Sequence, residues 1–164
     1  MNWLGEKIQN HIEPTDTVLD LGCGIMGATD DLKCKVILGC DVWYPYLEKI
    51  CHLWPTVKVR MNELDRFVDN SYDVVLCLDV LEHLDKGIAV QALEEMKRIC
   101  RKKVIIYTPR LFQTNEESVE NAWNLGYNPH QKHICQIEIP LLNEFGYKTE
   151  IMDVDGGILG IYTK

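Results

Sequence analysis

Three glycines, Gly22, Gly24 and Gly27, stand in the run VLDLGCGIMG, a GxGxxG spacing that directly follows an apolar, β-rich segment. Glycines placed this way permit a tight turn and let the backbone approach a bound nucleotide closely. Asp41 closes the next apolar run, at the distance where a carboxylate accepts hydrogen bonds from both ribose hydroxyls. Asp20 precedes the first glycine by two residues inside an otherwise apolar strand. A carboxylate there repels a pyrophosphate and suits a cationic ligand, or it orders the loop by accepting backbone N–H bonds. Asp79, Glu82 and His83 follow a fourth apolar run, and His130 and His133 lie in NPHQKH. An imidazole that titrates near neutrality can serve as a general base. Carboxylates with imidazoles also make an oxygen and nitrogen ligand set for a metal. The plainer alternative is that Glu82 and His83 begin the next helix and shape its loop.

These residues need elements to hold them. Short β-rich runs at 17–21 (TVLDL), 35–38 (KVIL), 56–61 (TVKVRM), 72–78 (YDVVLCL) and 103–107 (KVIIY) read as strands, the last stopped by Pro109. The clearest helix spans about 87–101: Ala89, Ala92, Leu93, Met96, Ile99 and Cys100 share one face, with Glu94 and Arg98 paired four apart outside. A helical stretch is also expected after the glycine loop. Strands alternating with helices imply a parallel sheet covered on both faces. The tail changes character, because residues 147–154 and 158–163 are strand-like runs joined by Asp155-Gly156-Gly157, a hairpin signal. The segment 110–132 carries Phe112, Trp123 and Tyr127 among polar residues. It reads as a substrate lid with Asn115 or Ser118 as a helix cap, or as a surface loop with Trp123 packed on the core.

The 164 residues fit one domain, 1–164, with no repeat, linker or low-complexity tract. Lysine and arginine total 17 against 25 acidic residues, a net charge of −8 that disfavours a nucleic-acid-coating protein. No apolar run reaches the ~18–20 residues of a membrane span, and the polar start MNWLGEKIQNHIEP is unlike a signal peptide. Seven cysteines, odd in number and without a CxxC pair, read as reduced thiols in a cytoplasmic protein.

The run Asp20-Leu21-Gly22-Cys23-Gly24-Ile25-Met26-Gly27 resembles the first motif of class I S-adenosylmethionine-dependent methyltransferases. Gly39-Cys40-Asp41-Val42 is similar to that family's acidic ribose-binding strand end. YDVVLCLDVLEHL at 72–84 resembles its fourth strand and following loop, and VIIYTP at 104–109 its fifth strand. The terminal hairpin matches as well. Two departures stand out: Arg101-Lys102-Lys103 replaces a Pro-Gly-Gly type turn, and Asn62-Glu63 stands where an aspartate usually meets the adenine. An asparagine can still accept from the adenine amino group through its carbonyl.

The resemblance implies an α/β fold: a Rossmann-like seven-stranded sheet, mostly parallel with a C-terminal antiparallel hairpin, and helices on both faces. It implies S-adenosyl-L-methionine as cofactor, held by Asp20, Gly22, Cys23, Gly24, Asp41, Val42, Asn62, Glu63 and Leu78, and His83 and His133 as catalytic residues. The expected acceptor is a small or glycan-like molecule methylated on oxygen, with no metal, and with a partner subunit or a homodimer available to complete the site. The Asp79, Glu82, His83 and downstream histidine pattern is also similar to metal-dependent small-RNA 2′-O-methyltransferases. Asp79 stands there in place of their glutamate, and the acidic charge fits RNA poorly. Two rivals complete the set: a nicotinamide-dependent oxidoreductase, and a catalytically silent scaffold that keeps the fold.

Overall fold

The computed structural model describes residues 2–164, the side chain of Ser118 excepted, so its expected cap lies outside the described residues. Seven strands form one sheet in the order β3-β2-β1-β4-β5-β7-β6. They are β1 (Thr17–Leu21), β2 (Val36–Asp41), β3 (Thr56–Lys58), β4 (Tyr72–Leu78), β5 (Cys100–Thr108), β6 (Lys148–Ile151) and β7 (Ile158–Thr163). β1 to β5 pair in parallel, while β7 runs antiparallel to both β5 and β6. The expected topology, terminal hairpin included, is therefore the one formed. The strand order reverses between β1 and β4, which opens a crevice at the carboxyl ends of those two strands.

Five helices cover the sheet: α1 (Trp3–Gln9), α2 (Tyr44–Ile50), α3 (Lys86–Ile99), α4 (Glu116–Glu120) and α5 (Ile139–Glu144). Period-two alternation divides each strand between two cores. Val75 and Cys77 of β4 pack with Leu93, Met96 and Ile99 of α3 and Leu142 of α5. Val74 and Leu76 face the opposite way, against Leu4 and Ile8 of α1 and Leu47 and Ile50 of α2.

Several local expectations change. No helix follows the glycine loop; residues 22–32 form consecutive turns. Gly22, Gly24 and Met26 all take positive φ, and a right-handed helix cannot run through such residues. α3 ends two residues early, because Cys100 already pairs with Tyr72 as the first residue of β5. Arg98 pairs with Glu95 and Asp69, and Glu94 pairs with Lys97. The cationic run at the head of β5 also has a role. Arg101 donates to both carboxylate oxygens of Asp73 (2.9 and 3.1 Å), to Thr17 Oγ1 and to the carbonyl of Asn70. Lys102 pairs with Asp16, so the starts of β1, β4 and β5 are clamped together. Among the described residues all seven cysteines are free, and no helix is long and apolar enough to cross a membrane.

Candidate active site

The glycine loop leaves β1 and folds over the end of β2. The N–H groups of Gly22 and Cys23 both donate to the carbonyl of Cys40, at 2.7 and 2.9 Å. Gly22 has φ +71°, and a Cβ there would lie 2.2 Å from Val80 Cγ2. Gly24 has φ +53°, and a Cβ would lie 2.4 Å from the Trp123 ring. Nothing crowds Gly27, so the third glycine of the pattern has no steric task. Asp41 accepts from the Gly24 N–H at 2.9 Å and the Trp43 N–H at 2.7 Å, so it both ends β2 and pins the loop. Asp20 is buried and accepts from the Thr29 hydroxyl at 2.7 Å, rather than from backbone N–H groups. Burial pushes its carboxyl up to about 7, against the Thr29 bond and with the Asp41 charge adding to it. Burial also pushes the Cys23 thiol up, so it stays protonated and acts as loop packing.

Two connected compartments lie over the strand ends, sharing Gly22, Asp41, Asp79, His83 and Gln131. The smaller, about 390 Å³, has Val42, Val59, Met61 and Val80 among its walls, with Asn62 at one side. Asn128 and Tyr46 also line it, and the buried Tyr46 hydroxyl lies within hydrogen-bond reach of the Asn128 and Gln131 side chains. The larger, about 750 Å³, is lined by Asp20, Cys23, Gly24, Leu78, Asp79, Glu82, His83 and His133. Of the expected cofactor residues, Glu63 alone lines neither. Its carboxylate accepts from the Arg60 N–H at 3.1 Å and pairs with Arg66, closing its own turn.

Past β4 the chain makes a tight bend with Asp79 at φ +54° and a 3-10 turn over Leu81–His83. Glu82 is 3% exposed. One of its oxygens accepts from the Thr108 hydroxyl at 3.1 Å, and its carboxyl also shares a hydrogen bond with that of Asp79. His83 Nδ1 lies 3.2 Å from the Lys132 carbonyl and His133 Nδ1 2.8 Å from that of Gln113. A carbonyl oxygen only accepts, so Nδ1 is the donor in both of these contacts. The rings lie 4.8 Å apart, and ligand atoms of Glu82, His83 and His133 all fall within 4.8 Å of one another. Burial first, then the His133 charge, lowers His83 to about 4. Burial and Asp79 raise Glu82 to about 8, while burial and Asp155 raise Asp79 to about 6. His130 sits apart in the smaller compartment, edge-on to Trp43, so only His133 of the downstream pair joins this cluster.

The segment after β5 lies across both compartments. The Ile134 and Cys135 N–H groups donate to the Glu82 carbonyl. Asn115 does not cap α4; its side chain accepts from the His133 N–H and donates to the Gln131 carbonyl, tying the segment to itself. Trp123, 49% exposed, rests on Gly24 and on Tyr46 at 5.0 Å rather than in the core. Trp123, Asn128, Tyr107 and Asp155 carry no spacing signal in the sequence, since contacts across the fold alone bring them to the crevice.

This topology, with its reversed last strand and its crevice at the β1/β4 switch, is the class I methyltransferase fold. Residues 19–108 match the family described as "Methyltransferase domain", and the chain belongs to that family. The uncharacterized protein MJ0638 of Methanocaldococcus jannaschii is 29% identical over 120 residues, covering 68% of this chain. The chain spans about half the length of that relative (49%). A SAM dependent methyltransferase from Archaeoglobus fulgidus is similar in structure, with a TM-score of 0.73, 15% identity, and coverage of 98% of this chain and 93% of the other. The methyltransferase domain of a bacterial Hen1 protein (CtHen1-CN) gives a TM-score of 0.62 at 25% identity, covering 98% and 97%. The cofactor of the class fits the residues present. The apolar walls of the smaller compartment, with the polar side chains of Asn62, Asn128 and Tyr46 among them, suit a flat heterocycle with polar edges, and Asp41 stands where the compartments join.

Proposed function

We propose that the protein transfers the methyl group of S-adenosylmethionine to a hydroxyl oxygen of a small-molecule or glycan-like acceptor in the larger compartment. The observation that carries this reading is the pair of imidazoles, His83 and His133, which line the crevice side by side, each with Nδ1 against a backbone carbonyl. When bound, the cofactor supplies an electrophilic methyl on a cationic sulfur, and the S–CH3 bond breaks as the O–CH3 bond forms. Asp41 would accept from the ribose hydroxyls, Val42 and Asn62 would hold the adenine, and the Gly22–Gly24 backbone, Asp20 and Leu78 would hold the rest. His83 is neutral at pH 7, because burial disfavours its cation, so it can take the proton that the hydroxyl loses. Much of the acceleration then comes from alignment of acceptor, methyl carbon and sulfur, for which the tied segment after β5 provides the walls.

The test is release of S-adenosylhomocysteine over a panel of hydroxyl acceptors. His83→Ala and His133→Ala should lower turnover by about 10²–10⁴ with cofactor affinity retained. Full activity in both variants would remove the imidazoles from the chemistry.

A second reading is favoured by one observation, the approach of Glu82, His83 and His133 ligand atoms to within 4.8 Å. A divalent ion held there would polarise the attacking hydroxyl, and a ribose 2′-hydroxyl of RNA becomes the candidate acceptor. Activity that disappears with EDTA, returns with Mg²⁺ or Mn²⁺ and requires RNA would select it. Activity indifferent to EDTA would select the first.

A further inference from the structure

The indole of Trp123 lies where the path of the cofactor crosses the glycine loop. Its six-membered ring is so close to Gly24 that a Cβ there would stand 2.4 Å from one ring carbon and 2.5 Å from the next. The same side chain tilts against the Tyr46 ring at 5.0 Å. Gly24 lines the larger compartment and Tyr46 the smaller, while Asp41, which accepts from the Gly24 N–H, lines both. The indole therefore stands at the junction of the two compartments. In a nucleotide-binding loop the missing Cβ is what lets the backbone come close to the ligand. Here the space freed at Gly24 is filled by a side chain of the protein itself. A cofactor with its adenine in the smaller compartment, its ribose on Asp41 and its sulfur in the larger one needs that same space.

The way the ring is held is a separate observation. Trp123 has φ +49° and ψ +35°, and Asn124 follows with φ +59°. Asparagine tolerates this left-handed region, but a residue as bulky as tryptophan rarely adopts it, so the turn is strained at the residue that carries the ring. Among the described residues, the hydrogen bonds of the turn 121–126 run within it or back to α4. The Asn121 N–H donates to the Glu117 carbonyl, the Asn124 and Leu125 N–H groups to the carbonyls of Asn121 and Ala122, and the Asn121 side chain bonds Asn124 and the Gly126 N–H. None of these bonds reaches the sheet or the glycine loop. A half-exposed indole on a turn tied in this way can leave Gly24 without breaking a hydrogen bond to the body of the protein, and its departure lets the backbone at Trp123 relax.

We infer that Trp123 is a plug on the cofactor crevice: seated on Gly24, its ring competes with S-adenosylmethionine for the glycine loop, and release of the turn 121–126 opens the site. Cofactor affinity is then the intrinsic affinity reduced by the fraction of molecules in which the ring has left. The inference rests on the cofactor of the family and is independent of the acceptor's identity.

The test is calorimetric titration of the full chain, Trp123→Ala and Trp123→Phe with S-adenosylhomocysteine, with tryptophan emission followed in parallel. The side chain is half-exposed, so its truncation spares the core. Trp123→Ala should bind at least about 5-fold more tightly than the parent chain, as expected for an open fraction of about 20% or less raised to unity. Trp123→Phe, with a smaller ring on the same backbone, should fall between them. Emission of the parent chain should change on binding by a component that Trp123→Ala lacks, because the indole leaves Gly24 and Tyr46 for water. Weaker binding by Trp123→Ala would make the ring a wall of the bound cofactor and overturn the inference. Equal affinity in all three chains, or the same emission change in the parent chain and Trp123→Ala, would show a ring that does not compete and overturn it too. Binding by none of the three would overturn it together with the placement of the cofactor in this crevice. The proposal of a hydroxyl acceptor is judged by turnover instead, so its failure is distinct from every one of these outcomes.

Discussion

Asp41 illustrates how one side chain can serve both the loop and the ligand. Its carboxylate spends one lone pair on each of two N–H groups and still has acceptor capacity toward the crevice. Asp41→Ala removes the ribose acceptor and loosens Gly24 together. Hydrogen bonds to a charged group contribute about 1.5–3 kcal/mol, so S-adenosylmethionine affinity should fall by about 10–100-fold in calorimetric titration. Far-UV circular dichroism should be unchanged, because neither partner N–H belongs to a strand ladder. Unaltered affinity would take Asp41 out of the site. Asp20 behaves differently, since its buried carboxyl is held up at about 7. In the folded state it keeps a proton that the unfolded chain releases near pH 4, so its contribution to stability is largest at low pH and declines as pH rises from about 4 to about 7. Asp20→Asn should flatten the fall of Tm of the empty protein across that window while keeping an acceptor for Thr29. Parallel Tm–pH curves for the two proteins would show that Asp20 titrates normally.

The glycine loop and α3 make opposite demands on their sequences. The loop needs positive φ and bare backbone at two places, Gly22 and Gly24, and not at the third. Gly24→Ala meets both the left-handed backbone cost and the Trp123 ring, whereas Gly27→Ala meets open space. Cofactor binding should therefore fail in the first and persist in the second, and equal loss in both would contradict the loop geometry. For α3 the demand is apolar volume. Leu93 is fully buried between β4, β5 and α5, and Leu93→Ala should cost about 2–5 kcal/mol in denaturant unfolding without changing which ligands bind. A cost below 1 kcal/mol, of the order seen for surface substitutions, would mean that this face of the sheet repacks.

Across the whole molecule charge is segregated. Cations are used structurally at the amino ends of the strands, where Arg101 and Lys102 clamp Asp73 and Asp16, while carboxylates gather at the opposite ends around the larger compartment. The acids there repel one another in the empty protein, so ligands that bring positive charge gain affinity from relieving that repulsion.

The fold was legible in the chain because period-two strands, the α3 stripe and the turn at Asp155-Gly156-Gly157 are local signals, each carried by a few neighbouring residues. The same holds for Gly22, Gly24 and Asp41, whose roles follow from their position at strand ends. The missing helix after the loop was less legible, because the positive φ at Met26 is a backbone state that residue type does not announce. Other assignments depended on distance in space. His133 joins His83, and His130 does not, because Asn115 and the Glu82 carbonyl fix how the segment after β5 crosses the strand ends. Trp123 on Gly24, Tyr107 with Asp155 and the turned-away Glu63 are likewise products of packing among residues far apart in the chain. Sequence alone therefore determined the sheet and its direction. Only the tertiary structure decided which side chains meet over the larger compartment, because long-range packing brings those groups together and local pattern does not encode it.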